Sequence, residues 1–204
     1  MEGVNTQYVD YGLPNASLKV YDKFIAKDLA DFYFETFQLM PFEQGNVRGG
    51  KEKRKTCFYS ELRNEDGSLR KYYYAGKENI AYEFIDELKD LKEKVEITTG
   101  SKFNSCLVNL YEDGKQIIGW HSDSVVSLYD KNPVIASVSL GAERWFDVKA
   151  KDNAPNPDLE YNIRTLHGSM IVMGGTMQKY YQHRIRQEAK VKEPRINLTF
   201  RLSK

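Results

Sequence analysis

Cysteine is scarce in this chain. Cys57 and Cys106 are the only two, far apart and in no CxxC spacing. That pattern excludes a disulfide framework and a thiolate zinc site, and it reads as a reducing, intracellular protein, cytoplasmic or, in a eukaryote, nuclear. Excess charge of one sign is missing too. The formal net charge is +1, so no global field draws the chain to nucleic acid, and any such binding has to come from a local patch. No apolar run approaches membrane-spanning length. The opening "MEGVNTQYVDYGLPN" lacks the charged start and apolar stretch of a signal peptide. The sequons at Asn15 and Asn197 are therefore expected to be without meaning. There is no internal repeat and no low-complexity segment. Histidine occurs three times, as His121, His167 and His183, so each one bears on what the chain can do.

What is present suits a single compact domain, with 41% hydrophobic residues in 204 and an unusual dependence on tyrosine, of which there are 14. The stretch "SLKVYDKFIAKDLADFYFETFQLMPF" opens like a strand and becomes helical, with Phe24, Ile25, Leu29, Phe32, Tyr33 and Leu39 as a rough apolar stripe. "NIAYEFIDELKDLKEKVEITTG" reads as a second amphipathic helix with Ile80, Phe84, Leu88 and Leu91 on one face. Between them, "GNVRGGKEKRK" is a basic loop, and "KTCFYSEL" and "LRKYYYAG" are short strands or lid segments around the turn "NEDGS". After Gly100 the texture changes to short strands and turns: "FNSCLVNLY", "PVIASVSLG", "RWFDVKA", "NIRTLHG", "SMIVMGG", "YYQHRIRQ" and "RINLTFRL". Helices first and many strands later predict an α+β chain, with helices packed on a β-sandwich or jelly roll.

His121 and Asp123 in "GWHSDS" are two residues apart, so on an extended segment both point to one side. A surface accident, a hydrogen-bonded pair and two metal ligands are all compatible with that spacing. In the last strand, Ile196, Leu198, Phe200 and Leu202 alternate with Arg195, Asn197, Thr199 and Arg201. The polar face is either the wet side of an antiparallel sheet or an anion pocket, since arginine matches a carboxylate with a two-pronged fork. His183 lies shortly before this strand. Two imidazoles and one carboxylate with open positions left over form the facial triad of non-heme Fe(II) oxygenases. Joined to an arginine-lined strand, the pattern becomes specific, because 2-oxoglutarate would offer a 2-oxo acid to the metal and a far carboxylate to an arginine.

These residues resemble the AlkB family of Fe(II)/2-oxoglutarate-dependent nucleic-acid demethylases. The resemblance covers most of the chain after about Arg54 and is carried by "FNSCLVNLYEDGKQIIGWHSD", "IASVSLGAERWF", "LHGSMIVMGGTMQKYYQHRI" and "PRINLTFR". These segments look nearer to the animal DNA and RNA repair members than to relatives acting on protein. The resemblance implies a double-stranded β-helix (jelly roll) with helices packed on one sheet and an N-terminal nucleotide-recognition lid. It implies one domain over 1–204, with helices and lid over about 1–100 and the catalytic core over about 101–204. It implies Fe(II), 2-oxoglutarate and O2 as the reactive partners and alkylated DNA or RNA as substrate, with a monomer and no membrane. Carried over by position, His121, Asp123 and His183 match the iron ligands. Arg195 matches the arginine for the far carboxylate of 2-oxoglutarate, Arg201 the one beside its metal-bound end, and Asn109 and Tyr111 further cosubstrate contacts. Asn197 and Thr199 line the same pocket. Tyr72 and Tyr74 in "KYYYAG" match the lid segment that lays an aromatic over a flipped base, and Arg54 matches a basic lid residue near the substrate. His167 falls where the family has no ligand, so a structural role is expected for it.

One departure stands out. Family members usually carry an acid two residues after the ligand Asp, near the amino group of the damaged base. Here that position is Val125, with Glu143 or Asp130 as the nearby acids that would have to compensate. Two rival readings share the fold: the same oxygenase chemistry on another substrate, as in RNA modification or a protein side chain, and a non-catalytic nucleic-acid-binding module. A complete triad argues against the second.

Overall fold

The structure, a computed structural model, describes residues 4–47, 50–74, 77–125 and 127–204, with the side chains of 46–47, 72–74 and 77–79 outside that description. In chain order the first half holds β1 (Val9–Asp10), β2 (Ala16–Tyr21), helix α1 (Lys27–Phe37), β3 (Asn46–Val47), β4 (Gly50–Lys51), β5 (Lys55–Ser60), β6 (Tyr72–Tyr74), β7 (Lys77–Asn79), β8 (Ala81–Tyr82) and helix α2 (Asp86–Thr99). The second half holds β9 (Ser105–Tyr111), β10 (Ile118–His121), β11 (Ile135–Gly141), β12 (Arg144–Ala150), β13 (Glu160–Thr165), β14 (Ser169–Gly175), the single turn α3 (Met177–Tyr180), β15 (Tyr181–Ile185) and β16 (Arg195–Arg201).

Two sheets form the jelly roll. The large one runs β1-β2-β14-β11-β16-β9-β5-β8 and the small one β10-β15-β12-β13. The first hundred residues contribute more than helices, since β2 pairs with β14 and β5 with β9 in the large sheet. Strands of the large sheet are buried on both faces because they separate two apolar layers. On the outer face, Val108, Val138, Leu198 and Phe200 meet Ala30, Tyr33 and Phe37 of α1 and Leu88, Leu91 and Val95 of α2. On the inner face, Ile135, Ile171 and Met173 meet Phe146, Val148, Ile163 and Ile185 of the small sheet. Period-two alternation therefore assigns each residue to one layer or the other.

The helices differ in detail from the sequence pattern. The buried stripe of α1 is Ala30, Tyr33 and Phe37, whereas Phe32 and Leu39 are exposed, and Phe24 and Ile25 are buried before the helix starts. The second helix starts at Asp86, so Phe84 enters the core from the preceding segment, and Ile80 is exposed. Acidic Asp86 and Glu87 open its first turn, where the helix dipole favours them. Gly100 ends it in the left-handed region at φ 67°, with its N–H on the Glu96 carbonyl. No helix among the described residues is long and apolar enough to cross a membrane.

The segment read as a lid folds as the hairpin β6–β7, pairing Tyr72 with Asn79 and Tyr74 with Lys77. The side chains of Tyr72 and Tyr74, on which the stacking expectation rests, lie outside the described residues. So does Arg48, and so does the side chain of Val47.

Candidate active site

The inner face of the large sheet is apolar at one end and polar at the other. At the polar end β16 turns Arg195, Asn197, Thr199 and Arg201 toward the small sheet, and the first three are less than a tenth exposed. The face is an interior surface, so the wet-sheet reading of this strand does not hold. Across from it, β10 and β15 are adjacent antiparallel strands with His121 directly opposite His183. Sheet register alone thus brings together imidazoles far apart in the chain, with ring centroids 4.3 Å apart. Asp123 follows β10 and completes a group whose ligand atoms lie within 4.8 Å of one another.

The donors are prepared for a cation. His121 Nδ1 sits 2.8 Å from the Gly119 carbonyl, which fixes the proton on Nδ1 and leaves the Nε2 lone pair free. That Nε2 is 3.9 Å from Asp123 Oδ1, too long for a hydrogen bond and short enough for both to share an ion. Burial lowers both histidines, His121 against the pull of Asp123 and His183 to about 3, so both are neutral at pH 7. Burial alone would raise Asp123, but the Arg201 guanidinium, at 3.0 Å, holds its carboxyl below the ordinary value. Among the described residues, Asp123 Oδ2 and His183 Nδ1 are buried without a hydrogen-bond partner. A buried carboxylate oxygen left open beside two neutral imidazoles fits a divalent metal, and the 2-His-1-carboxylate set suits Fe(II). Phe146 stacks on His183 at 5.1 Å and packs its ring in place.

The second polar centre is Arg195. Its Nη2 donates to Ser139 Oγ at 2.9 Å and its guanidinium lies 5.3 Å from the Tyr111 ring centroid. Nε and Nη1 are buried and have no hydrogen-bond partner among the described residues. Burial lowers its pKa to about 10, so the charge persists at neutral pH. A buried, charged fork with two free N–H groups is a seat for a carboxylate.

Other expected residues are brought together as well, with altered partners. Arg54 lines the same cavity but is buried, donating Nε to Asn109 Oδ1 at 2.7 Å and facing Glu52 at 3.5 Å. Asn197 gives its amide N–H to Ser137 Oγ at 2.7 Å and to the Val138 carbonyl, and accepts from Thr199 at 3.1 Å. These bonds form a buried network that stiffens the polar floor. Arg201 lies on Asp123. His167 accepts from the Gly141 N–H at 2.8 Å and lies 3.0 Å from Asp31 on α1, tying the turn before β14 to the helix. Its role is structural, as expected. Neither compensating acid reaches the cavity: Glu143 pairs with Arg164 on the surface and Asp130 caps Asn132. Asp123 is the one acid among the described lining residues. Val125 packs against the apolar layer between the sheets.

Residues without a sequence signal also shape the site. Ser137 and Ser139 were legible only as part of an apolar run, although their two-residue spacing matches the inward positions of β11. Arg144, 1% exposed, donates to the carbonyls of Gln116 and Arg186 at 2.9 and 2.6 Å and pairs with Glu188, clamping the loop before β10 to the segment after β15. Gly114 sits in that clamp, where a Cβ would collide with the Glu188 backbone.

A model of the 2OG-Fe(II) oxygenase superfamily matches residues 17–201. The chain belongs to the 2OG-Fe(II) oxygenase superfamily. Among curated oxygenases, human alpha-ketoglutarate-dependent dioxygenase alkB homolog 3 is 43% identical over 119 residues, 56% of this chain and 41% of its own length. DNA oxidative demethylase ALKBH2 of Arabidopsis thaliana is 32% identical over 173 residues, 74% of this chain and 53% of its own. Bovine DNA oxidative demethylase ALKBH2 is 36% identical over 134 residues, covering 64% and 48%. The chain spans about half the length of the curated relatives it matches. The solved structure of OsALKBH1 shares the oxygenase fold, with a TM-score of 0.63 at 19% identity over 96% of this chain and 100% of that one.

Proposed function

We propose that this oxygenase is an Fe(II)/2-oxoglutarate-dependent oxidative demethylase of N-alkylated bases in DNA or RNA, releasing formaldehyde, succinate and CO2. The observation that carries the reading is one cavity that joins two complementary donor sets: the 2-His-1-carboxylate cluster of His121, Asp123 and His183, suited to a cation, and the buried guanidinium of Arg195, suited to an anion. Iron bound at the triad, with 2-oxoglutarate and O2, would supply the oxidising power for hydroxylating an N-methyl carbon. The protein's share is placement. Arg195 and Tyr111 orient the far carboxylate, Asn109 and the network behind it hold the near end, and the sandwich walls exclude water. Arg201 keeps the Asp123 carboxylate ionised and aimed. The substrate assignment rests on the named relatives and on the resemblance of "KYYYAG" to a base-stacking lid, in which Tyr72 and Tyr74 meet the nucleotide, whereas Arg54, buried against Asn109 and Glu52, braces the cavity instead.

We take the chain to act as a monomer. Cys57 and Cys106 are free and buried, which suits a reducing compartment, cytoplasmic or nuclear. The test is formaldehyde release from methylated oligonucleotides, DNA and RNA, with Fe(II) and 2-oxoglutarate. Release that requires both, and stops in Asp123→Ala, supports the reading. Succinate formation without formaldehyde from any oligonucleotide would move the chemistry to another substrate.

A further inference from the structure

Asp123 differs from the two histidines in how it is held. His121 and His183 are fixed by paired strands, whereas residues 122–125 lie beyond the end of β10 in no ladder. A carboxylate that completes a metal site needs its backbone fixed as well as its side chain. The fixing groups come from the turn that carries α3. Gln178, 6% exposed, accepts the Asp123 N–H on Oε1 at 2.8 Å. Ser122 Oγ donates to the Tyr181 carbonyl at 2.7 Å. The segment carrying Asp123 is therefore pinned on both sides to the turn that leads directly into His183.

Gln178 is itself anchored. Its amide Nε2 rests 3.7 Å from the Met173 sulfur, and its backbone carbonyl accepts from Lys151 Nζ at 2.9 Å. An amide is well suited to this task. It offers a neutral acceptor to a part-buried N–H that would otherwise lose its partner, and it adds no second negative charge beside Asp123.

We propose that Gln178 is a positioning residue for the metal site: its side-chain carbonyl fixes the Asp123 backbone so that the carboxylate meets His121 and His183. The proposal rests on the reading that these three residues bind a metal. Groups that orient a ligand without touching the metal typically contribute about 10–100-fold in metal affinity.

The test uses Co(II) titrated into the metal-free full chain, followed by its visible absorption and by calorimetry, with His121→Ala as the control that removes a ligand. Gln178→Met keeps the length and volume but removes the acceptor. It is expected to weaken Co(II) binding about tenfold or more and to alter the cobalt band, with the metal-free melting temperature within about 4 °C of wild type. Gln178→Glu keeps an acceptor at the same reach and, although it adds a charge beside Asp123, is expected to retain more Co(II) affinity than Gln178→Met. Ser122→Ala, which removes the companion bond, gives a smaller loss in the same direction. Wild-type affinity and an unchanged band in Gln178→Met would overturn the proposal. Equal losses in the Met and Glu variants, tracking a lowered melting temperature, would reduce Gln178 to a packing role and overturn it too. A wild-type chain that binds no Co(II) sensitive to His121→Ala would instead refute the metal site itself, and the proposal with it.

Discussion

Arg195 is a charge whose environment favours function over stability. It is buried, keeps two N–H groups without partners, and faces no carboxylate in the cavity except Asp123, which Arg201 already pairs. Replacing it by methionine, of similar length, removes a desolvated charge. Arg195→Met is expected to leave the melting temperature of the ligand-free protein equal or higher. The same change should weaken 2-oxoglutarate binding by about 3–5 kcal/mol, about 150- to 5,000-fold, as for any buried pair that loses one partner. Calorimetric titration beside a thermal scan checks both halves, and an unchanged affinity would mean that β16 does not seat the anion. The triad follows a different rule. His121→Ala, Asp123→Ala and His183→Ala are each expected to abolish turnover, while His167→Ala keeps metal binding and loses about 1 kcal/mol of stability with its two part-buried contacts. Acid sensitivity has a sign that can be worked out. The folded chain lowers His183 to about 3, whereas an unfolded histidine titrates near 6.5. Between those values the unfolded chain holds more protons, so this contribution to stability is complete above about pH 6.5 and is lost as pH falls toward 3. Denaturant titrations of metal-free wild type and His183→Asn at pH 7 and pH 5 should show the wild type losing more between the two; equal losses would contradict the burial of a neutral imidazole.

At the level of elements, strands were far more legible than the residues that tie them together. β16 could be read residue by residue because each of its faces meets a chemically distinct layer, apolar helices outside and a polar cavity inside. The same contrast exposed β9, where Asn109 and Tyr111 sit two apart. The start of α2 was misplaced because Ile80 and Phe84 continue its apolar spacing through a segment that is extended, and spacing alone does not report where backbone hydrogen bonds begin. The clamps were invisible for another reason. Arg144 and Gln178 bond to backbone atoms distant in sequence, and nothing in the local pattern around "ERWF" or "TMQK" announces a distant carbonyl or N–H. Arg144 makes its importance testable. Arg144→Met leaves the carbonyls of Asp113, Gln116 and Arg186 without this donor, while Glu188 keeps Arg164 and the Trp145 N–H, so a loss of about 1–3 kcal/mol is expected in denaturant unfolding. A change below about 1 kcal/mol would show that the loop before β10 does not depend on the clamp.

For the whole molecule, on the demethylase reading proposed above, the surface that would meet nucleic acid sets strand preference. The stretch "EQGNVRGGKEKRK" is rich in glycine and cations, and a duplex-invading wedge needs bulky apolar contact to replace lost stacking. Phe42, the nearest alternative, is partly buried and packs against the core. The enzyme is therefore expected to repair a methylated oligonucleotide faster alone than annealed to its complement at equal salt, with rates in both forms falling as salt rises. A duplex rate equal to or above the single-strand rate would locate a wedge elsewhere. The construction of the cavity has a further effect, on the lifetime of the protein. Its walls belong to different layers, β9 and β16 to the large sheet and β10 and β15 to the small one. Metal and cosubstrate together would rivet one layer to the other, and ligand that binds only the closed sandwich at a hundred times its dissociation constant adds about 2.7 kcal/mol. Proteases that attack the opened chain would then find about a hundredfold fewer targets. Starved of iron or of 2-oxoglutarate, the molecule would be both idle and short-lived, so that its abundance would follow the supply of its own reactants.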